Sequence, residues 1–337
     1  MKAKSIYGNS PKHIKEALQL AMADQFKPTL AIAFISIKQD RHGICEVLKK
    51  EGIDVFGATS CGEFTESHQS EGESVIMLLE LDPKYFTILM EDLKGHELKE
   101  ISKNLARNAL KKFKDPGFIL CTNGMSVDNI ILDGNLIIRS IEEVIGPHAN
   151  ITGGMAGDDW MLKSSYIFTH DFETNLGIAA LVFDQEKVSL QGMAISGWKP
   201  IGIKRTITKC EGTYLHTIDD KPALDMYLKY LGASYDDTQD KYNLFENVAQ
   251  HYPFLVERES GASMMATPMM VDRESKALIC DVSLRQGSKL SFTMPPDFDF
   301  VEEVLDKARK LKDQTKTSAE AMLIFSCAGR VTVLVPL

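Results

Sequence analysis

No apolar run in this sequence approaches the ~20 residues that a helix needs to cross a bilayer. Met1-Lys2-Ala3-Lys4-Ser5 leads into polar, amphipathic sequence instead of the apolar core of a signal peptide. A soluble, cytoplasmic protein without a membrane partner is expected. Also missing are any C-x-x-C pair and any histidine at zinc-finger spacing. The six cysteines, Cys45, Cys61, Cys121, Cys210, Cys280 and Cys327, are therefore expected to be free thiols, most of them buried. No phosphate-loop G-x-x-x-x-G-K-[ST], dinucleotide-binding G-x-G-x-x-G or nucleophile-elbow G-x-S-x-G is present, which argues against those enzyme classes. Neither zinc spacing nor a dense oxygen-ligand loop occurs, so no metal and no cofactor is expected. Basic runs with interleaved aromatics are absent too, and the net charge of −9 makes the molecule repel a phosphate backbone. Nucleic acid is not an expected partner, and Lys111-Lys112-Phe113-Lys114 reads as a solvated helix end.

What is present is ordinary globular material, 337 residues with 44% apolar and 25% charged side chains, enough for about two domains. Ser10 and Pro11 open a helix over 11–26 that places Ile14, Leu18, Ala21 and Met22 on one face. Residues 30–35 form an apolar run, as a strand covered on both faces would. A second helix over 40–51 is stopped by Gly52, and a strand through Ile53, Val55 and Phe56 follows. Strands are expected at 74–81 and 85–90, a helix at 97–113, a strand at 118–121, a helix at 131–145 and a strand at 149–152. Further strands are expected at 165–169, 177–183 and 189–195. Past Ile203 the pattern changes: a strand at 204–210, a helix at 223–231, a surface loop at 233–243, four short strands between 254 and 293, and a helix at 300–313.

Two stretches stand out as small-residue turns after strands. The first is Gly57-Ala58-Thr59-Ser60-Cys61-Gly62-Glu63-Phe64, and the second is Gly153-Gly154-Met155-Ala156-Gly157-Asp158-Asp159. Strand, helix, strand, turn and further strands thus occur twice, about ninety residues apart, which implies duplicated units packed on one another. A strand over 321–325 and the turn Ser326-Cys327-Ala328-Gly329-Arg330 read as the start of a third copy, expected to be incomplete at Leu337. The fold class expected is α/β: mixed sheets flanked by helices, internally repeated units and two domains.

These two turns, together with Ser196-Gly197-Trp198-Lys199-Pro200-Ile201-Gly202, Pro222-Ala223-Leu224-Asp225 and Phe325 to Arg330, occur in an order that resembles the FIST family over nearly the whole chain. The resemblance implies a FIST N-terminal domain over 1–204 and a FIST C-terminal domain over 214–337. It implies an intracellular sensory module that binds a small metabolite, an amino acid or a relative of one, and signals to a partner protein encoded separately. Binding would act through a change in domain contact, a population shift.

The candidate ligand-binding residues are Thr59, Ser60, Cys61, Glu63, Cys121, Asn123, Asp158, Trp198, Cys327 and Arg330. Hydroxyl and amide groups at strand ends supply donors and acceptors. Carboxylates hold an ammonium or cap their own turn. Trp198 packs at a junction or walls a pocket, and an arginine after a glycine turn pins a carboxylate or pairs with a structural acid. Cys61 needs a neighbouring base or a helix N-terminus to act as a nucleophile. None adjoins it except His68, so a ligand-lining or structural thiol is favoured and no catalytic residue is assigned. A ligand-free interaction scaffold and a cysteine-dependent enzyme using Cys61 remain the alternatives.

Overall fold

The computed structural model describes residues 1–330 apart from 125, 129, 233–243, 245–247, 259–262, 298 and 316–317. The loop expected at 233–243 lies outside the described residues. The chain divides into two compact units: Met1–Gly192 with Thr317–Phe325, and Met193–Lys316 with Ser326–Leu337.

The first unit is built from β1 (Lys2–Gly8), α1 (Pro11–Met22), β2 (Leu30–Ser36), α2 (Arg41–Lys50) and β3 (Asp54–Ser60). The hairpin strands β4 (Glu63–Phe64) and β5 (Gln69–Ser70) and then β6 (Ser74–Glu80) complete its first half. The second half runs through β7 (Phe86–Asp92), α3 (Leu98–Lys112), β8 (Pro116–Asn123), α4 (Gly134–Ile145) and β9 (Ile151–Ala156). It ends with β10 (Ile167–Phe168), β11 (Glu173–Thr174) and β12 (Gly177–Asp184). Ser10 caps α1 by accepting from the His13 amide, and Asp40 caps α2 by accepting from Gly43. Asp133 accepts from Asn135 and Leu136, which starts α4 at Gly134, three residues later than periodicity suggests.

The two halves have one topology. The first sheet has the order β1-β6-β2-β3, extended by β10 and β11, and the second has the order β7-β12-β8-β9. In each, a parallel pair (β2 with β3, β8 with β9) adjoins an antiparallel strand (β6, β12) that pairs in turn with the strand opening the half. The expected duplication is therefore present, as two sheets face to face.

Period-two alternation sorts the side chains between layers. From β2, Ala31, Ala33 and Ile35 join Ile14, Leu18 and Leu48 under α1 and α2, while Leu30 and Ile32 face the second sheet. From β12, Ile178, Ala180 and Val182 lie under α3 and α4, while Ala179, Leu181 and Phe183 face the first sheet. Four layers result, helices, sheet, sheet and helices, which explains why β2, β8 and β12 read as unbroken apolar runs.

Three expectations are corrected. Gly153 to Ala156 belong to β9 instead of to a turn. A Cβ on Gly153, at φ 148°, would come 2.0 Å from the Leu120 carbonyl oxygen, so this close approach of backbones needs glycine. Residues 189–195 form no strand, and Asn150 Nδ2 donates 2.5 Å to the Leu190 carbonyl within that stretch. Residues 321–325 form no strand either. Ala321, Leu323 and Phe325 nevertheless pack on the core between the sheets, and Phe325 meets Phe34 edge-on at 5.5 Å. The apolar alternation was real, but here it serves packing without a ladder.

Among the described residues, the second unit holds one sheet of eight strands. Its elements are β13 (Lys199–Glu211), β14 (Tyr214–Ile218), β15 (Lys221–Pro222), α5 (Ala223–Leu231), β16 (Phe254–Val256) and β17 (Met264–Ala266). After them come β18 (Pro268–Asp272), β19 (Ala277–Cys280), β20 (Lys289–Met294) and α6 (Phe300–Thr315). The long β13 pairs with β20 near one end and β14 near the other, with register shifts along it. Its core gathers Tyr227, Phe254 and Phe292, with Tyr230 stacked on Phe292 at 4.0 Å. The domain boundary expected at Lys204 falls inside β13.

Gly57 in β3 permits the closest approach of β10. A Cβ there would lie 2.2 Å from the ring of Phe168, which is itself 1% exposed and cannot swing into solvent. Gly57→Ala should cost about 1–3 kcal/mol through overpacking, read as a lower denaturant midpoint at unchanged slope.

Candidate functional site

The turn after β3 and the turn after β9 occupy corresponding places in the two halves and meet each other directly. Gly157 donates its amide to the Thr59 carbonyl at 2.8 Å, and Asp159 donates to the Ser60 carbonyl at 3.1 Å. The Thr59 hydroxyl donates to the Gly157 carbonyl at 2.6 Å and accepts from the Tyr166 amide at 2.9 Å. Thr59 is thus a buried clamp whose hydroxyl is already occupied within the fold.

Asp158 is the second structural residue. It is 5% exposed, and its carboxylate accepts from the amides of Leu162, Lys163 and Ser164 at 3.1, 2.7 and 3.0 Å. That cap holds a loop in which Asp159, Trp160 and Leu162 all have positive φ, 53°, 64° and 51°, a conformation that costs non-glycine residues. Backbone strain of this kind clusters at functional sites, and here it positions Asp159.

Asp159 accepts at Oδ2 from the Ser36 hydroxyl at 2.7 Å and pairs there with the Lys38 ammonium at 3.3 Å. Its side chain is 8% exposed, whereas that of Lys38 is 65% exposed. A partly buried carboxylate is therefore paired with a solvent-exposed cation. Beside it, Glu63 accepts from the Ser60 hydroxyl at 2.6 Å and from the Glu73 amide at 3.3 Å. Burial pushes the Glu63 carboxyl above the usual glutamate range, and the Asp159 charge adds to the rise against the pull of those two bonds.

Cys61, in the same turn, is half-buried. A Cβ on Gly157 would come 2.4 Å from its sulfur, so the glycine makes the thiol's seat. Burial pushes the thiol up, and the amides of Trp160, Asp158 and Asp159 oppose that only in part. A raised thiol is a poor thiolate nucleophile.

Of the residues expected from sequence, Ser60, Cys61 and Glu63 come together at the C-terminal end of the parallel pair β2 and β3, where ligands of α/β sheets bind. Apart from Thr59 and Asp158, the other expected residues lie elsewhere. Cys121 is 1% exposed between the two sheets, its thiol pushed up to about 12 by burial alone. Asn123, fully buried, donates to the Ser165 and Thr174 carbonyls and accepts from the Gly177 amide. In the second unit, the Trp198 indole donates to the His251 carbonyl at 2.8 Å. Cys327 is exposed, and Arg330 lies over the Phe300 ring at 5.5 Å. Ser36 and Lys38 were not among the expected residues, and Asp159 was legible only as the carboxylate beside Asp158 in the second turn. For Ser36 the available signal was a polar residue closing an otherwise apolar strand. Among the described residues, no group of three or more His, Cys, Asp or Glu side chains could hold a metal, and no helix is long and apolar enough to cross a membrane.

A family model described as FIST N domain matches residues 29–221, and one described as FIST C domain matches residues 223–337. No curated protein matches the chain.

Two measurements test this geometry. Asp158→Ala leaves three loop amides without their acceptor and should cost about 2–3 kcal/mol of stability by denaturant unfolding. Folded Glu63 keeps its proton to higher pH than the unfolded chain does, so its contribution to stability is full below the ordinary value of 4.5 and is lost as pH rises through its raised value. Thermal unfolding followed from pH 4.5 upward should show that loss flattened in Glu63→Gln.

Proposed function

The chain belongs to the FIST family of sensory and signal-transduction domains, and on that premise we propose that its N-terminal unit binds a small metabolite carrying an ammonium group, an amino acid in the first instance. The observation that carries this reading is the Asp159 carboxylate, recessed beside Glu63 and countered by the solvent-exposed ammonium of Lys38. A ligand ammonium takes the place of Lys38 on Asp159, while Ser60 and Cys61 contact the rest of the molecule. Exchange of one cation for another avoids leaving a partly buried carboxylate uncompensated.

Occupancy frees the Lys38 side chain and loads the strained loop. That loop presents Trp160, Met161 and Leu162 to solvent at 40%, 45% and 39% exposure. It is the surface through which a separately encoded partner reads the bound state, by population shift. The raised thiol of Cys61 weighs against the cysteine-dependent enzyme, and a recessed carboxylate with an exchangeable counter-ion weighs against a ligand-free scaffold.

A thermal-shift panel of amino acids and simple amines tests the reading. A true ligand at about 100 times its Kd adds about 2.7 kcal/mol of stability. Asp159→Asn should abolish the shift, and Lys38→Met should enlarge it by removing the competing cation. A panel in which nothing stabilises the protein, or in which Asp159→Asn responds like the parent, would defeat the proposal.

A further inference from the structure

The opposite end of β3 opens on a different cleft, of 580 Å³, within the range of small-molecule pockets. Its walls are the start of β3, the start of β7, the end of α3 and the turn between β10 and β11. At about 3.3 Å per residue, the seven residues of β3 set it roughly 20 Å from Cys61. No residue of the carboxylate site described above lines it.

The chemistry of its walls is lopsided. Lys84 and Lys112 stand at the cleft, both exposed, and neither ammonium has a carboxylate partner among the described residues. Asp171, on the facing turn, is already neutralised: Lys49 holds one oxygen at 2.5 Å, and His170 Nε2 lies 3.0 Å from the other. Asp54 at the rim offsets one lysine, which leaves a surplus of positive charge. Nδ1 of His170 is buried and meets no hydrogen-bond partner among the described residues. Phe86, Ile88 and Phe113 supply the apolar part of the lining, with Phe86 and Phe113 only 6% and 9% exposed.

We propose that this cleft is a second ligand site, for a small organic anion with an apolar body, of the class of short aliphatic and aromatic carboxylic acids. Lys84 and Lys112 take the carboxylate, and Phe86, Ile88 and Phe113 take the hydrocarbon. A bare inorganic anion cannot use the apolar lining and meets Asp54, whereas an organic cation meets two lysines. The apolar body is thus what distinguishes the ligand.

Calorimetric titration of the full chain with sodium benzoate, sodium hexanoate and inorganic phosphate tests the assignment. Both carboxylates should bind saturably with a Kd of about 1 mM. Lys84→Gln with Lys112→Gln should weaken them about tenfold without changing the unfolding temperature, since both side chains are exposed. Asp54→Asn should tighten them, and Asp159→Asn should leave them unchanged. Absence of saturable carboxylate binding, equal binding to the double lysine variant, or phosphate binding as tight as benzoate would each overturn the proposal. Loss of binding in Asp159→Asn would do so too, by placing the anion at the other end of β3.

Discussion

Each half of the N-terminal unit contributes four strands of a sheet with helices on one side only, and the other face of each sheet is apolar. Leu30, Ile32, Phe56 and Leu79 on one face, and Ile119, Ala179, Leu181 and Phe183 on the other, are all nearly or fully buried against each other. Removing a large apolar side chain from water contributes about 1.5–3 kcal/mol, and neither half could shield its face alone. Mutual burial of the two sheets is the condition for everything else in the unit. It also limits the side chains at the seam: Cys121 and Ala179 are small where the sheets lie close, and Phe325 fills the margin beside Phe34.

That packing brings the ends of corresponding strands together, and the site arises there. Because the halves are related by duplication, the turn after β3 finds the turn after β9 opposite it, and the two exchange backbone hydrogen bonds through Thr59, Ser60, Gly157 and Asp159. Two carboxylates from distant parts of the chain, Glu63 and Asp159, become neighbours in a partly desolvated place. Burial, with the Asp159 charge beside it, raises the Glu63 carboxyl, while the Lys38 ammonium and the Ser36 hydroxyl partner Asp159 and the Ser60 hydroxyl partners Glu63.

Duplication, α/β class and most helix bounds were legible in the chain, since they rest on local signals: the cap at Ser10 ahead of Pro11, the stop at Gly52, and unbroken apolar runs at β2, β8 and β12, whereas the Asp133 cap was not expected and moves the start of α4. The turn at Ser60 to Glu63 was legible as well, as small and polar residues following a buried strand. What misled was ambiguity in the same signals. Glycines at 153 and 154 mark close backbone contact inside β9, and apolar alternation over 321–325 serves packing without a ladder. Thr59, Asn123 and Asp158 carry the polar groups of a binding site, yet their hydrogen bonds are consumed by the fold itself.

By itself the sequence determined the repeated order of elements and the place of the first turn, because periodicity and capping act over a few residues. Only the tertiary structure decided that Asp159, more than Asp158, faces Lys38 and Ser36, since that depends on three successive amides of a later loop turning back onto Asp158. Adjacent carboxylates look alike in a sequence. Which of them caps the loop and which faces Ser36 and Lys38 is set by where the backbone amides point.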